Sequence, residues 1–354
     1  MKIIIKNEER GIKLIAAVYK GPGILDLEEV KTPEIESADD ILIRVKCSVI
    51  CGTDIKTFRR GHHAFIPPVI LGHEFSGEVV AIGDDVKTCK IGDQVTVPPF
   101  INCGDCFYCQ KGLFELCKNR TLLSNGSFAE YIKISQAYAE AGLVKLPADI
   151  NLEEAALAEP LACVINAVED CDLSLGDNVL VIGAGPMGLL NVLVSQLKGA
   201  GHVIVSEPVA ERRKAAQQLG ALAVDPTTQD LSSIVQETTK GKGVDILIIA
   251  IANTKVVESV LSLVRPGGKV MLFGGFPGSS TLTLDPNLIH YRQVALLGSS
   301  GFTTRQFKQA ADLIMQRRIN VGQLITHRFP LLEIKQAFDL AINHGGLKIC
   351  IACA

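Results

Sequence analysis

A chain of 354 residues, 47% hydrophobic and 21% charged, can build two ordinary domains with sizeable cores and is not globally disordered. Its formal net charge of −3, with Lys and Arg spread along the chain, argues against a nucleic-acid-binding surface. The opening Met1-Lys-Ile-Ile-Ile-Lys is too short and too quickly charged for a signal peptide, and no apolar run is long enough to span a bilayer. The expected location is therefore cytoplasmic, with no membrane partner. Eleven cysteines, an odd number, then point to a reducing compartment and to metal thiolates.

The first half of the chain reads as β-rich. Short apolar or alternating runs at Ile41–Val45, Glu78–Ile82, Gln94–Val97 and Phe128–Ile134 are punctuated by Gly, Pro and Asp, which suggests an irregular barrel. Near residue 150 the texture changes. Leu152–Val168 has helical spacing, interrupted at Glu159-Pro160, and a strand–helix alternation follows. Strands are expected at Val179–Ile182, His202–Ser206, Asp245–Ile251, Lys269–Phe273 and Val294–Leu297. Helices are expected at Met187–Lys198, Ala210–Leu219 and Thr254–Val264. This rhythm predicts an α/β fold with a doubly wound parallel sheet covered by helices on both faces. Helices Thr304–Arg317 and Leu332–Asn343 and a last strand, Lys348–Ala352, complete the chain.

The densest chemical signal is Cys103, Cys106, Cys109 and Cys117, spaced C-x2-C-x2-C-x7-C. One tetrahedral zinc ion can gather four such thiolates in a closed, structural site. Disulfides and iron–sulfur ligation are the rival readings of this spacing. A second constellation is more dispersed. Cys51, His73, Glu74 and Glu159 supply a thiolate, an imidazole and two carboxylates, the mixture from which an open catalytic zinc site is built. Taken singly, each has a structural reading as a buried thiol, a core histidine or a helix-terminal charge.

Gly183-Ala-Gly185-Pro186-Met187-Gly188 matches G-x-G-x-x-G between an apolar strand and a helix, the context in which the pattern binds a dinucleotide. Glu207 follows the next strand, 19 residues beyond Gly188, where a carboxylate accepts from ribose hydroxyls and repels a 2′-phosphate. NAD is the expected cofactor. Arg212 stands where it can stack near the adenine or receive a phosphate.

Gly72-His-Glu-Phe-Ser-Gly77-Glu-Val-Val-Ala-Ile-Gly83-Asp-Asp-Val86 resembles the signature of the zinc-containing alcohol dehydrogenases, the medium-chain dehydrogenase/reductase family. Cys51-Gly-Thr53-Asp54, the cysteine loop and the glycine fingerprint fall in that family's order, so the resemblance covers essentially the whole chain. It implies a GroES-like β-barrel catalytic domain at 1–158 and 298–354, and a Rossmann coenzyme domain at 159–297. The active site would lie in the cleft between them. By the same resemblance, Cys51 and His73 hold the catalytic zinc and Thr53 relays the substrate proton. The Glu159-Pro160 pair resembles the sorbitol (L-iditol) and threonine dehydrogenase branch, where either carboxylate, Glu74 or Glu159, serves as zinc ligand or holds its water. Lys56 stands where the next relay residue is commonly His. It would hold a water or meet an anionic substrate group, against the alternative of a solvated lysine.

Two departures from animal sorbitol dehydrogenases, at Thr57-Phe58 and at Ser299-Ser300-Gly301-Phe302, weaken the case for sorbitol itself. The expected function is zinc-dependent oxidation of a secondary hydroxyl on a polyol or sugar alcohol, phosphorylated or not, with NAD as acceptor. L-Threonine or 2,3-butanediol is the alternative substrate, and a non-catalytic nucleotide-binding relative is a third reading. One catalytic and one structural zinc per chain are implied, in a homo-oligomer of two or four subunits.

Overall fold

The computed structural model describes residues 13–62 and 64–353; the N-terminal segment, for which the sequence suggests no role, lies outside them. The chain divides into two compact units. One comprises Met1–Glu159 and Phe307–Ala354, the other Pro160–Gln306.

Among the described residues of the first unit, Asp40–Val49 is the central strand of a seven-stranded sheet. It pairs antiparallel with Glu74–Ile82, Tyr131–Ser135 and Lys348–Ala352. Its ladder with Glu74–Ile82 shifts register between Leu42 and Ile43 and again between Val45 and Cys47. Such irregularities bend and twist a sheet, as the curved wall of a barrel requires. Ile41, Ile43 and Val45 point into a core with Phe75, Phe128, Ile132, Phe338 and Ile351. The last strand is therefore part of this unit, Ile351 facing Ser48 in register. A smaller sheet adds the hairpin Lys13–Gly21 and Ile24–Lys31.

The second unit holds a six-stranded parallel sheet among its described residues. In chain order its strands are Asn178–Ile182, His202–Ser206, Leu222–Val224, Val244–Ile249, Val264–Leu272 and Ala295–Gly298. Their spatial order is 3-2-1-4-5-6, the doubly wound dinucleotide-binding arrangement. Val179, Leu180, Val181 and Ile182 are all buried, as a strand covered on both faces requires.

Several expected boundaries move, each for a local reason. The break in the interdomain helix falls at Ala156 and Leu157 rather than at Glu159-Pro160, and Ala158–Asp170 is continuous. Pro160 occupies its first turn, where the missing N–H would have had no intrahelical partner. The helix Thr254–Val260 stops short of Val264, because Val264 begins a strand and a short 3₁₀ turn intervenes. Phe128 precedes rather than opens the strand Tyr131–Ser135. The sequence was expected to return to the first unit at 298, whereas the observed division falls at Phe307. Buried Asn166 donates to the Ser299 hydroxyl at 2.9 Å and the Gly301 carbonyl at 3.3 Å. Gln306 donates to Asn166 at 2.8 Å, so 299–306 stay tied to the second unit.

Candidate metal and dinucleotide sites

The first site is assembled around a helix start. Gly52–Arg60 is a helix whose N-cap is Cys51, and a reciprocal capping box fixes it. The Cys51 sulfur accepts from the Thr53 amide at 3.4 Å, while the Asp54 carboxylate accepts from the Cys51 amide at 2.9 Å. Asp54 is fully buried, and its other oxygen accepts from the Gly72 amide at 3.3 Å and lies 3.4 Å from His73 Nδ1. One carboxylate thus joins the cap, the turn before Glu74–Ile82 and the imidazole. A histidine whose Nδ1 is held by a carboxylate offers Nε2 to a metal. Burial presses the His73 imidazole down, but the Asp54 carboxylate and the Cys51 sulfur outweigh it and raise it well above its usual value.

Cys51, His73 and Glu74 each bring a ligand atom within 4.8 Å of the others, a donor set that suits zinc. Glu74 is fully buried, and both its oxygens accept from Lys348 Nζ at 2.6 Å. Burial alone would lower the Lys348 ammonium, yet the Glu74 carboxylate outweighs it and raises it. Glu159 is buried nearby but is not one of the three converging donors. Burial pushes its carboxyl up to about 7, with the His73 charge opposing and the Glu74 charge adding. It can therefore hold or release a proton near neutrality. Thr53 lies partly exposed on the first turn of the helix, with Lys56 exposed one turn on.

The cysteine loop forms a second centre. Sulfur–sulfur distances are 3.5 Å for Cys103–Cys117, 3.6 Å for Cys106–Cys109, 3.8 Å for Cys106–Cys117 and 3.9 Å for Cys103–Cys109. Four sulfurs at about 2.3 Å from one tetrahedral ion stand about 3.8 Å apart, so the cage matches a single ion. These separations are too long for disulfides. Within the cage the Cys106 thiol is drawn down to about 6, chiefly by the backbone N–H of Cys109, while the Cys103 thiol is pushed up to about 12, chiefly by its hydrogen bond with Asp105.

In the second unit, Gly183 has φ +98, a conformation that a side chain resists, and a Cβ there would press on Ile251. A Cβ at Gly188 would collide with the Gly183 carbonyl, so this glycine permits helix and strand to close up. At Gly185 a Cβ would meet nothing within 4 Å, which leaves open the space that a pyrophosphate occupies. Gly185 is the N-cap of Pro186–Leu197, without a side-chain cap, and Pro186 and Met187 are partly exposed in its first turn. Free amides at this helix start suit a phosphate. Glu207 is buried at the end of its strand. Its oxygens accept from Ala184 N at 2.7 Å and Val209 N at 2.9 Å, which places the carboxylate beneath the fingerprint turn.

Residues 37–148 match the alcohol dehydrogenase GroES-like domain, and residues 186–316 match the zinc-binding dehydrogenase family. The chain is 34% identical over 349 residues to a D-arabitol-phosphate dehydrogenase from Enterococcus avium, spanning 97% of both chains. This chain belongs to the zinc-containing alcohol dehydrogenases. It is also 34% identical over 338 residues to an L-threonine 3-dehydrogenase from Pyrococcus horikoshii, across 93% of this chain and 95% of that one. A zinc-binding dehydrogenase from Sinorhizobium meliloti 1021, solved bound to NADP, superposes with a TM-score of 0.87 at 31% identity. The match covers 96% of this chain and 99% of that one.

The dehydrogenase is thus an alcohol or polyol oxidoreductase with a GroES-like unit, a Rossmann-type unit and a nucleotide cofactor. No helix among its described residues is long and apolar enough to cross a membrane. Three of its site residues escape a sequence reading. Lys348 is 274 positions from Glu74 and belongs to a strand that reads as plain core. Asp54 is visible in the Cys51 motif, but its three contacts are not. Beside Glu207 the structure places Arg213, whose guanidinium donates to the Glu207 and Pro208 carbonyls and pairs with Asp225 at 2.8 Å. Arg212, which the sequence singles out, is half-buried one residue earlier.

Proposed function

We propose that this dehydrogenase oxidises a secondary hydroxyl of a polyol, free or phosphorylated, with NAD as hydride acceptor. The observation that carries the reading is the convergence of Cys51, His73 and Glu74, braced by Asp54 and Lys348, with Thr53 in the helix turn that Cys51 caps. Zinc held by Cys51 and His73, with Glu74 or Glu159 as a further ligand, would supply a Lewis acid that makes an alcohol more acidic. Asp54 keeps the imidazole oriented. Thr53 Oγ1 would receive the substrate proton as its own passes to a solvent water, which the Lys56 ammonium could hold, and the Glu159 carboxyl holds a proton near neutrality. The Cys103, Cys106, Cys109 and Cys117 cage holds a second, structural zinc.

Gly183, Gly185, Pro186, Met187 and Gly188 cradle the pyrophosphate, and Glu207 accepts from the adenosine ribose. Both Glu207 oxygens keep a lone pair after their amide contacts, and the carboxylate repels a 2′-phosphate, which supports NAD over NADP. Exposed Lys56, Arg59 and Arg60 share the helix that carries Thr53, a basic face suited to a phosphorylated substrate. The edge strand Ala295–Gly298 would pair with its counterpart in a second subunit.

The test is a panel of polyols, polyol phosphates, L-threonine and 2,3-butanediol, with NAD and NADP, followed by the absorbance of reduced nicotinamide. Turnover of a polyol or its phosphate with NAD is expected. Turnover of L-threonine or butanediol alone would replace the substrate assignment.

A further inference from the structure

A feature outside both metal centres is the link between Cys47 and Cys350. The two residues are 303 positions apart, lie on the paired strands Asp40–Val49 and Lys348–Ala352, and are disulfide-bonded with their Cα atoms 6.4 Å apart. Cys47 and Cys350 belong to neither of the metal-ligand clusters among the described residues. They are 4% and 2% exposed, so bulk solvent barely reaches them. Both nonetheless line a cavity of about 560 Å³, together with Leu152, Phe329, Lys46 and Arg328. That volume is in the range that takes small molecules. Its rim is polar and charge-balanced: Lys46 is paired with Glu78 at 3.7 Å, and Arg328 with Glu153, which also lines the cavity, at 2.6 Å.

We propose that Cys47 and Cys350 form a redox-exchangeable pair, opened and closed by a small disulfide or thiol of the glutathione type entering this cavity. In the closing direction, one cysteine thiolate attacks the small disulfide, forms a mixed disulfide and releases one small thiolate. The second cysteine loses its proton to solvent and attacks the mixed bond, which closes Cys47–Cys350 and releases the second small thiolate. The protein loses two electrons and two protons, and the small disulfide gains the electrons.

The consequence is mechanical. Lys348 stands two residues before Cys350 on the same strand, and its ammonium holds Glu74. A closed bond pins that strand to Asp40–Val49, and an open one leaves it on its ladder alone. Oxidation state therefore governs how firmly Lys348 is held.

The test uses the full-length protein with its metal, incubated with oxidised glutathione or with dithiothreitol, then alkylated under denaturing conditions and mapped by peptide mass. The expected result is a peptide pair linked through Cys47 and Cys350 after oxidised glutathione, replaced by two alkylated cysteines after dithiothreitol. The oxidised form should melt higher by about 5 °C or more. Its amides at Lys348–Ala352 should exchange more slowly. Cys350→Ser should erase both differences, and the oxidised-against-reduced comparison of the unaltered protein stands by itself if that variant folds poorly. Free thiols at both positions after oxidised glutathione would overturn the proposal, as would a link that persists in the native protein under dithiothreitol. Peptide mapping separates this pair from oxidation of the Cys103–Cys117 cage, and none of these readouts depends on turnover.

Discussion

Asp54 has one carboxylate and three obligations: an N-cap amide, the Gly72 amide and the His73 imidazole. Cys51 is held by the same cap, so its sulfur is aimed before any metal arrives. Replacing it with Ser is expected to lower turnover by about 10³-fold or more, while NAD binding measured by fluorescence titration survives. Normal turnover in Cys51→Ser would refute the catalytic assignment. The Glu74–Lys348 pair makes a separate prediction. Lys348→Met leaves a carboxylate buried without its ammonium and should cost about 3–5 kcal/mol in denaturant unfolding. Adding Glu74→Gln should recover much of that loss, because the orphaned charge disappears. Additive losses would mean that the two side chains do not interact.

At the scale of single elements, the cysteine loop has little core of its own: Phe107, Leu113 and Leu116 are all exposed. With the proposed structural zinc, its order would come from the ion that its four sulfurs hold. Cys103→Ser should halve the zinc content measured by atomic absorption and make the loop the first point of proteolysis. Retention of two zinc ions would contradict the structural role.

The parallel sheet carries an electrostatic tie of its own. Asp245 accepts from Asn178 N at 2.7 Å and is bonded to Arg265 at 2.5 Å. Burial would raise its carboxyl, but the Asn178 amide and the Arg265 guanidinium outweigh burial and hold it below its usual range. A lowered folded value stabilises above the unfolded value of about 3.9, and the gain is lost as pH falls through the folded value. Asp245→Asn should therefore cost about 1 kcal/mol at pH ~7, with the difference shrinking on acidification below pH ~4. Urea midpoints across that window check it, and a gap that stays constant with pH would dismiss the tie.

For the molecule as a whole, a dinucleotide that binds only the folded state must raise its melting temperature. NAD at about 100 times its dissociation constant should add about 2.7 kcal/mol. NADP at the same concentration should add less, because its 2′-phosphate meets Glu207. Thermal melts decide this directly, and an equal or larger NADP shift would reverse the cofactor assignment.

Much of this was legible in the residues. Close spacing is visible in a sequence, so the four cysteines and the glycine fingerprint announce their chemistry, and the apolar strands announce a buried parallel sheet. Local stereochemistry also marks four of the six Rossmann strands to within two residues, whereas Val264–Leu272 begins five residues before the expected Lys269 and the three-residue strand Leu222–Val224 is too short to stand out. Long-range pairing leaves no such trace. The Lys348 ammonium meets Glu74, and Cys350 meets Cys47, because the last strand folds back on the third of the first unit. The hold that Asn166 keeps on residues 299–306 arises in the same way. Such contacts depend on which strands become neighbours, and that follows from burying the apolar faces of distant segments in one core rather than from any short run of residues.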